Sequence, residues 1–140
     1  RMMLRILMFA LYADELLEMT RGISTDDEPD LWQKSLSGEI EHWIELGQPD
    51  ERRLRQACGR AKLVTLLTYG GNAPQVWWKQ NQTKLDSIKN LSVWTISDEQ
   101  SKALAQIAER AMRIQVMLDA NQISLTAENH ALELSLEQLK

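Results

Sequence analysis

A chain of 140 residues, 44% hydrophobic and 26% charged, can bury one core and is too apolar and too mixed in charge to stay disordered. Its formal charge of -4 does not suggest a protein that coats nucleic acid generally, but it leaves room for a local basic strip, because net charge says nothing of distribution. One cysteine, Cys58, cannot close an internal disulfide, which points to a reducing, cytoplasmic setting; with two histidines it cannot build a standard structural zinc site either.

The chain opens on "RMMLRILMFALYADE" without an initiator methionine. Its apolar stretch is about a dozen residues long and contains Arg5, against the roughly 20 apolar residues needed to cross a bilayer. No membrane partner is expected. The spacing predicts a helix over residues 2–17, with Leu4, Leu7, Met8, Leu11 and Glu15 on neighbouring positions and apolar residues almost all round. Such a helix expects cover on most sides, and the chain is read as a fragment, residues 1–140 of a single domain that has lost its beginning.

"RGISTDDEPD" is an acidic connection broken by Gly22 and Pro29. "LWQKSL" and "GEIEHWIEL" then read as two strands around a Ser37–Gly38 turn. Pro49, Asp50 and Glu51 mark the start of a helix whose narrow apolar face is Leu54, Ala57, Cys58 and Ala61. "KLVTLLTY" is a buried strand and "GGN" a turn, with Asn72 and Gln75 as a capping pair for the helix that carries Val76, Trp77, Leu85 and Ile88. "LSVWTI" is another strand, Ser97 with Gln100 caps a fourth helix, and the end reads as a three-stranded β-meander. The order α-β-β-α-β-α-β-α-β-β-β predicts an α/β (α+β) fold, a mixed sheet flanked by helices. The helix after Pro49 is the natural crossover of a parallel βαβ unit, and sites gather at the carboxyl ends of such strands.

Glu45 stands at one of those ends. Along its strand Ile40, His42, Ile44 and Leu46 point one way, and Glu39, Glu41, Trp43 and Glu45 the other. A solvated edge explains all three glutamates. A buried Glu45 would instead demand a cation, an arginine or an open cleft. Further acids come from Asp14 and Glu15 and from the run Asp26, Asp27, Glu28 and Asp30; carboxylates converging from separate segments suit a hard divalent ion. The following helix supplies the opposite sign. Arg53 and Arg60 share one flank, Arg55 and Lys62 the other, Arg52 points outward, and Arg53 is placed to reach back toward Glu45. These arginines read either as stems covering the core or as a phosphate-facing strip. Cys58 and His42 read as interior residues, "YGGNAP" as a turn, and Trp77 or Trp78 as partly exposed.

"RMMLR", "YADELLEMTRG", "STDDEPDLW", "WIELGQPDERRLRQAC", "TYGG", "VWWKQN" and "MRIQ" resemble the corresponding stretches of the YaeQ family of bacterial proteins, over essentially the whole chain. That resemblance implies a restriction-endonuclease-like fold, a variant of the PD-(D/E)XK core of a helix, three strands, a helix and a further strand. On that template Glu15 is the acid of the first helix, Asp27 the acid before the second strand region, with Glu28 or Asp30 as rivals, and Glu45 the strand acid. Asp27 and Glu45 would hold Mg²⁺. Gly47 departs from the pattern, which has lysine there; Arg53 is the basic residue that could have migrated, able to stabilise charge but poorly suited to act as a base. The implied function is Mg-dependent phosphodiester hydrolysis on nucleic acid, contacted through the helix carrying Arg52 to Lys62. The alternative, favoured by Gly47, is a catalytically silent fold that acts as a protein-binding or transcription-related accessory factor.

Overall fold

The computed structural model describes residues 1–20, 28–110, 115–119, 122–127 and 130–140. Helix α1, Met2–Leu11, buries Leu4, Leu7 and Met8 and also carries the buried Arg5. It ends well before residue 17. Asp14 takes over there, its side chain accepting from Leu16 N at 2.9 Å and its carbonyl from Leu17 N at 3.1 Å, which turns the chain instead of continuing the helix. Leu17–Met19 therefore becomes strand β1, and Glu15 lies exposed in the turn, off the helix it was expected to occupy.

Strands β2, Leu31–Lys34, and β3, Ile40–Leu46, flank the expected turn, with Gly38 at φ +90°. Helix α2, Glu51–Arg60, is capped by Asp50, which accepts from Arg53 N, and Glu51 and Arg60 complement its dipole ends. It passes straight into β4, Ala61–Thr68. Helix α3, Ala73–Leu85, has Asn72 at its N-cap but no side-chain cap bond: Asn72 is itself near-helical, and a capping side chain needs extended backbone. Strand β5, Leu91–Thr95, leads to α4, Asp98–Arg110, where Ser97 Oγ does accept from Gln100 N at 3.2 Å.

The main sheet runs β1-β2-β3-β4-β5-β9, the last being Glu137–Gln138. Strands β3, β4 and β5 are parallel, with α2 and α3 as the crossovers, and the remaining pairs are antiparallel. Strands β6, Gln115–Asp119, β7, Gln122–Ala127, and β8, His130–Ser135, form the expected meander as a second sheet. This is a mixed α+β architecture with a core on each face of the main sheet. Leu4, Met8, Ile44, Leu67, Leu104 and Leu134 fill one; Trp43, Leu54, Leu66, Trp77 and Leu85 fill the other. Adjacent residues of β3 thus serve opposite cores, as a pleated strand covered on both faces requires. Among the described residues no helix is long and apolar enough to cross a membrane.

His42 is half-buried, its Nε2 2.7 Å from Thr65 Oγ1 and its ring edge-on to Tyr12 at 5.0 Å. Burial lowers its pKa below the ordinary 6.5, so the native ring stays neutral while the unfolded chain takes up a proton. This contribution favours folding least in acid: stability is lost as pH falls below about 6.5. Urea midpoints measured from about pH 7 down to pH 5 should fall less steeply in His42→Gln than in the parent; equal slopes would remove His42 as the cause.

Candidate site at the end of the parallel strands

Glu45 is the penultimate residue of β3, an interior strand, and is only 4% exposed. β3 is therefore no edge strand, and only Glu39 and Glu41 are solvated, meeting the exposed Lys62 at 3.7 and 3.1 Å. The Glu45 carboxylate is answered by a cation from the next element. Arg53 Nε donates to its Oε2 at 2.8 Å, as the helical spacing suggested, and Trp43 Nε1 donates to Oε1 at 3.1 Å. Arg53 also donates to the Glu28 carbonyl at 2.9 Å, tying α2 to the segment that leads into β2.

A second buried acid lies at the same end of the sheet. Asp30, 3% exposed, immediately precedes β2, and its Oδ2 accepts from Leu46 N at 2.9 Å, so it reaches the backbone directly after Glu45. Arg1 grips the same carboxylate with a two-nitrogen fork, Nε to Oδ1 at 3.2 Å and Nη2 to both oxygens at 2.9 Å. Arg5, buried one turn further along α1, lies 3.6 Å from Oδ1 and donates to the Asp30 and Thr20 carbonyls. Arg1 Nη1 reaches Tyr69 Oη at 3.2 Å, and Gln48 Nε2 donates to the Tyr69 carbonyl, which closes the end of β4 over the site.

Of the four residues expected to act together, Glu45 and Arg53 are in contact. Glu15 is exposed in the turn after α1, and Asp27 lies outside the described residues. Among its rivals, Glu28 offers its carbonyl and Asp30 its buried carboxylate. Arg1, Arg5, Gln48 and Tyr69 went unnoticed. One signal was available: two arginines four positions apart, on one face of an apolar helix, require a buried acid.

Gly47 has φ +110°, a conformation that strains any residue with a side chain, and a Cβ there would lie 3.6 Å from Arg1 Nη1. Space is ordinary at that distance; the backbone itself excludes lysine. Next to Glu45's partners Trp43 and Arg53, a cavity of about 620 Å³ is lined also by Arg52, Gln56, Arg60 and the acid Asp50, so that Arg53 and Arg60 share its wall. The Arg60 guanidinium lies 5.1 Å from the Trp43 ring. Cys58 is packed against the α2–α3 core, and burial pushes its thiol pKa up to about 11, which suits a filler and not a nucleophile. Among the described residues, no three His, Cys, Asp or Glu side chains gather in a metal-holding group.

The model of a family described as YaeQ protein matches residues 1–136. "Uncharacterized protein YaeQ" of Escherichia coli strain K12 is 46% identical over 136 residues, which is 97% of this chain and 75% of that protein; the Salmonella typhi protein of the same name is 44% identical over the same shares. The crystal structure of the YaeQ protein from Xanthomonas axonopodis pv. citri matches all of this chain and 79% of its own, at 38% identity and a TM-score of 0.94. The one from Pseudomonas syringae matches all of this chain and 77% of its own, at 32% identity and a TM-score of 0.88.

Proposed function

The chain belongs to the YaeQ family, and on that premise we propose that it is a nuclease-like protein, hydrolysing phosphodiesters of nucleic acid with Mg²⁺ at Glu45 and, in place of Asp27, which lies outside the described residues, its rival Asp30. In this reading the fold is restriction-endonuclease-like. Its support is the succession α1, β1 to β3, α2, β4, which repeats the helix, three strands, helix and strand implied by the resemblance; β1, unseen in the sequence, supplies the third strand. The observation that carries the reading is the pair of buried acids from separate segments, held at one end of the sheet and each paired with an arginine.

Two carboxylates are the hard donors that Mg²⁺ takes, so the residue types fit the ion, and Asp30 and Glu45 would hold it. When bound, it would supply a water of lowered pKa and a charge to balance the phosphate. The chain's own contribution is electrostatic. Arg53 orients Glu45 through Oε2, and Arg52 and Arg60 line the wall along which a phosphate backbone would run. A cytoplasmic location belongs to the same reading and rests on the lone, unpaired Cys58.

A second reading has its own observation: both carboxylates already carry arginines, so the centre is compensated without an ion. It is then a silent fold whose basic surface docks a protein. Incubating the protein with single- and double-stranded DNA and RNA, in Mg²⁺ or Mn²⁺, separates the two. Cleavage that disappears in Asp30→Ala and Glu45→Ala is the expected result. No cleavage of any substrate, with salt-insensitive capture of a protein, would replace the first reading by the second.

A further inference from the structure

We propose that the cleft between the start of α2 and α3 is a binding site for a guanine base; that a nucleic-acid strand brings the base there rests on the nuclease-like reading above.

The cleft has a volume of about 720 Å³, within the range of sites that hold small ligands, and is lined by Gln48, Asp50, Arg52, Trp77, Asn81 and Lys84. Trp77 fixes its shape: Nε1 donates to the Pro49 carbonyl at 2.6 Å, which ties α3 to the residue before the α2 cap. Asp50 and Arg52 line both this cleft and the cavity of Arg53 and Arg60, so the two adjoin at the first turn of α2.

Two carboxamides supply the chemistry. Asn81 is only 9% exposed, and its Nδ2 is turned onto the Trp77 carbonyl at 2.8 Å. Its oxygen has no partner among the described residues, yet it is not sealed from solvent; the side it keeps open is the one on the cleft. Gln48 repeats the arrangement: Nε2 donates to the Tyr69 carbonyl, and Oε1 has no partner among the described residues. Asp50 adds the carboxylate oxygen that does not cap α2. The cleft thus presents acceptors, and its ligand must bring donors. Guanine alone among the bases carries N–H donors on two adjacent positions, N1 and N2, along the edge that a duplex hides. A single strand or a free nucleotide leaves that edge open. Arg52 and Lys84 stand on the same cleft as Asp50 and Glu51, which weighs against a cationic ligand and suits a neutral base joined to phosphate.

The test measures, in EDTA, the binding of fluorescein-labelled single-stranded oligothymidylates that carry one central dG, dI or dA. Beside it stands protection against thermal unfolding by guanosine, inosine and adenosine monophosphates. The parent should bind the dG strand about tenfold more tightly than the dI strand, which lacks the N2 amine, and than the dA strand. Asn81→Leu keeps the bulk, loses the oxygen and should erase that preference. Gln48→Met should weaken it, and decides alone if Asn81→Leu does not fold. A guanine preference among the strands makes the strand the source of the base; one seen with the monophosphates only makes it a free nucleotide, and both sustain the site. No guanine preference in either assay overturns the inference, as does a preference that survives in both variants. Cleavage in Mg²⁺ reports separately on the nuclease-like reading: a parent that cleaves without preferring guanine keeps that reading and loses the guanine site, and guanine binding without cleavage does the reverse.

Discussion

Asp30→Ala lowers the stability of the folded chain by about 3–5 kcal/mol, the range for breaking a buried ion pair from one side. Two causes act together. The substitution leaves Arg5, only 7% exposed, without its acid, and it strips Leu46 N of its acceptor at the end of β3. For a chain of this size that is a fall in melting temperature of about 10–15 °C. Asp30→Asn should recover part of the loss, since the amide oxygen can still accept from Leu46 N while the charge is gone. Urea denaturation of the three proteins measures the order. A cost below about 1 kcal/mol for the alanine variant would show that the α1 arginines find compensation elsewhere.

Glu45→Ala is expected to do two separable things. It removes one partner of Arg53, whose side chain keeps 24% of its surface in solvent, so the stability cost sits nearer 2–3 kcal/mol. It should also abolish the response to divalent ions. The parent should melt higher as Mg²⁺ or Mn²⁺ is added, by about 1.4 kcal/mol at ten times the dissociation constant, and the variant should not move. Glu45→Gln refines the comparison: it can still accept from Arg53 but binds a dication poorly, so it should lose the metal response with a smaller loss of stability. A parent whose melting curve ignores both ions removes the metal from the proposal, and the arginines alone then balance the acids.

These two variants bear on one physical situation. Asp30 and Glu45 are withdrawn from water at one end of the mixed sheet, and each is matched by arginine: Arg1 at the N-cap of α1 and Arg5 within it, and Arg53 from α2. Buried acids without such partners would take up protons or destabilise the fold. The arginines make the centre possible.

Much of this was legible in the residues. The α2 crossover followed from Pro49–Asp50–Glu51 and a narrow apolar face, and helical spacing alone pointed Arg53 back toward Glu45. The meander was legible from alternation and its Asp/Asn turns. Short elements were not. Leu17–Met19 is a strand only because β2 pairs with it, and Glu137–Gln138 only because β5 does; three or two residues carry no periodic signal of their own. The overlong α1 has the same origin: apolar spacing continued past Leu11, while a local bond from Leu16 N to Asp14 decided where the helix stopped. Asn72 shows the converse, a capping residue type whose backbone was set by the preceding glycine turn.

What the amino-acid order determined by itself was therefore the nearest-neighbour part: the long helices, the hydrophobic strands, the capped start of α2, and the placing of Glu45 and Arg53 within reach of each other. Periodicity acts over a few residues and can be read from them. The tertiary structure alone decided that, of the described acids Glu28 and Asp30, it is the Asp30 carboxylate that reaches the backbone after Glu45, and that Arg1 would lie over Gly47. Those choices join residues 16 and 46 positions apart, through sheet pairing and burial that no local pattern encodes.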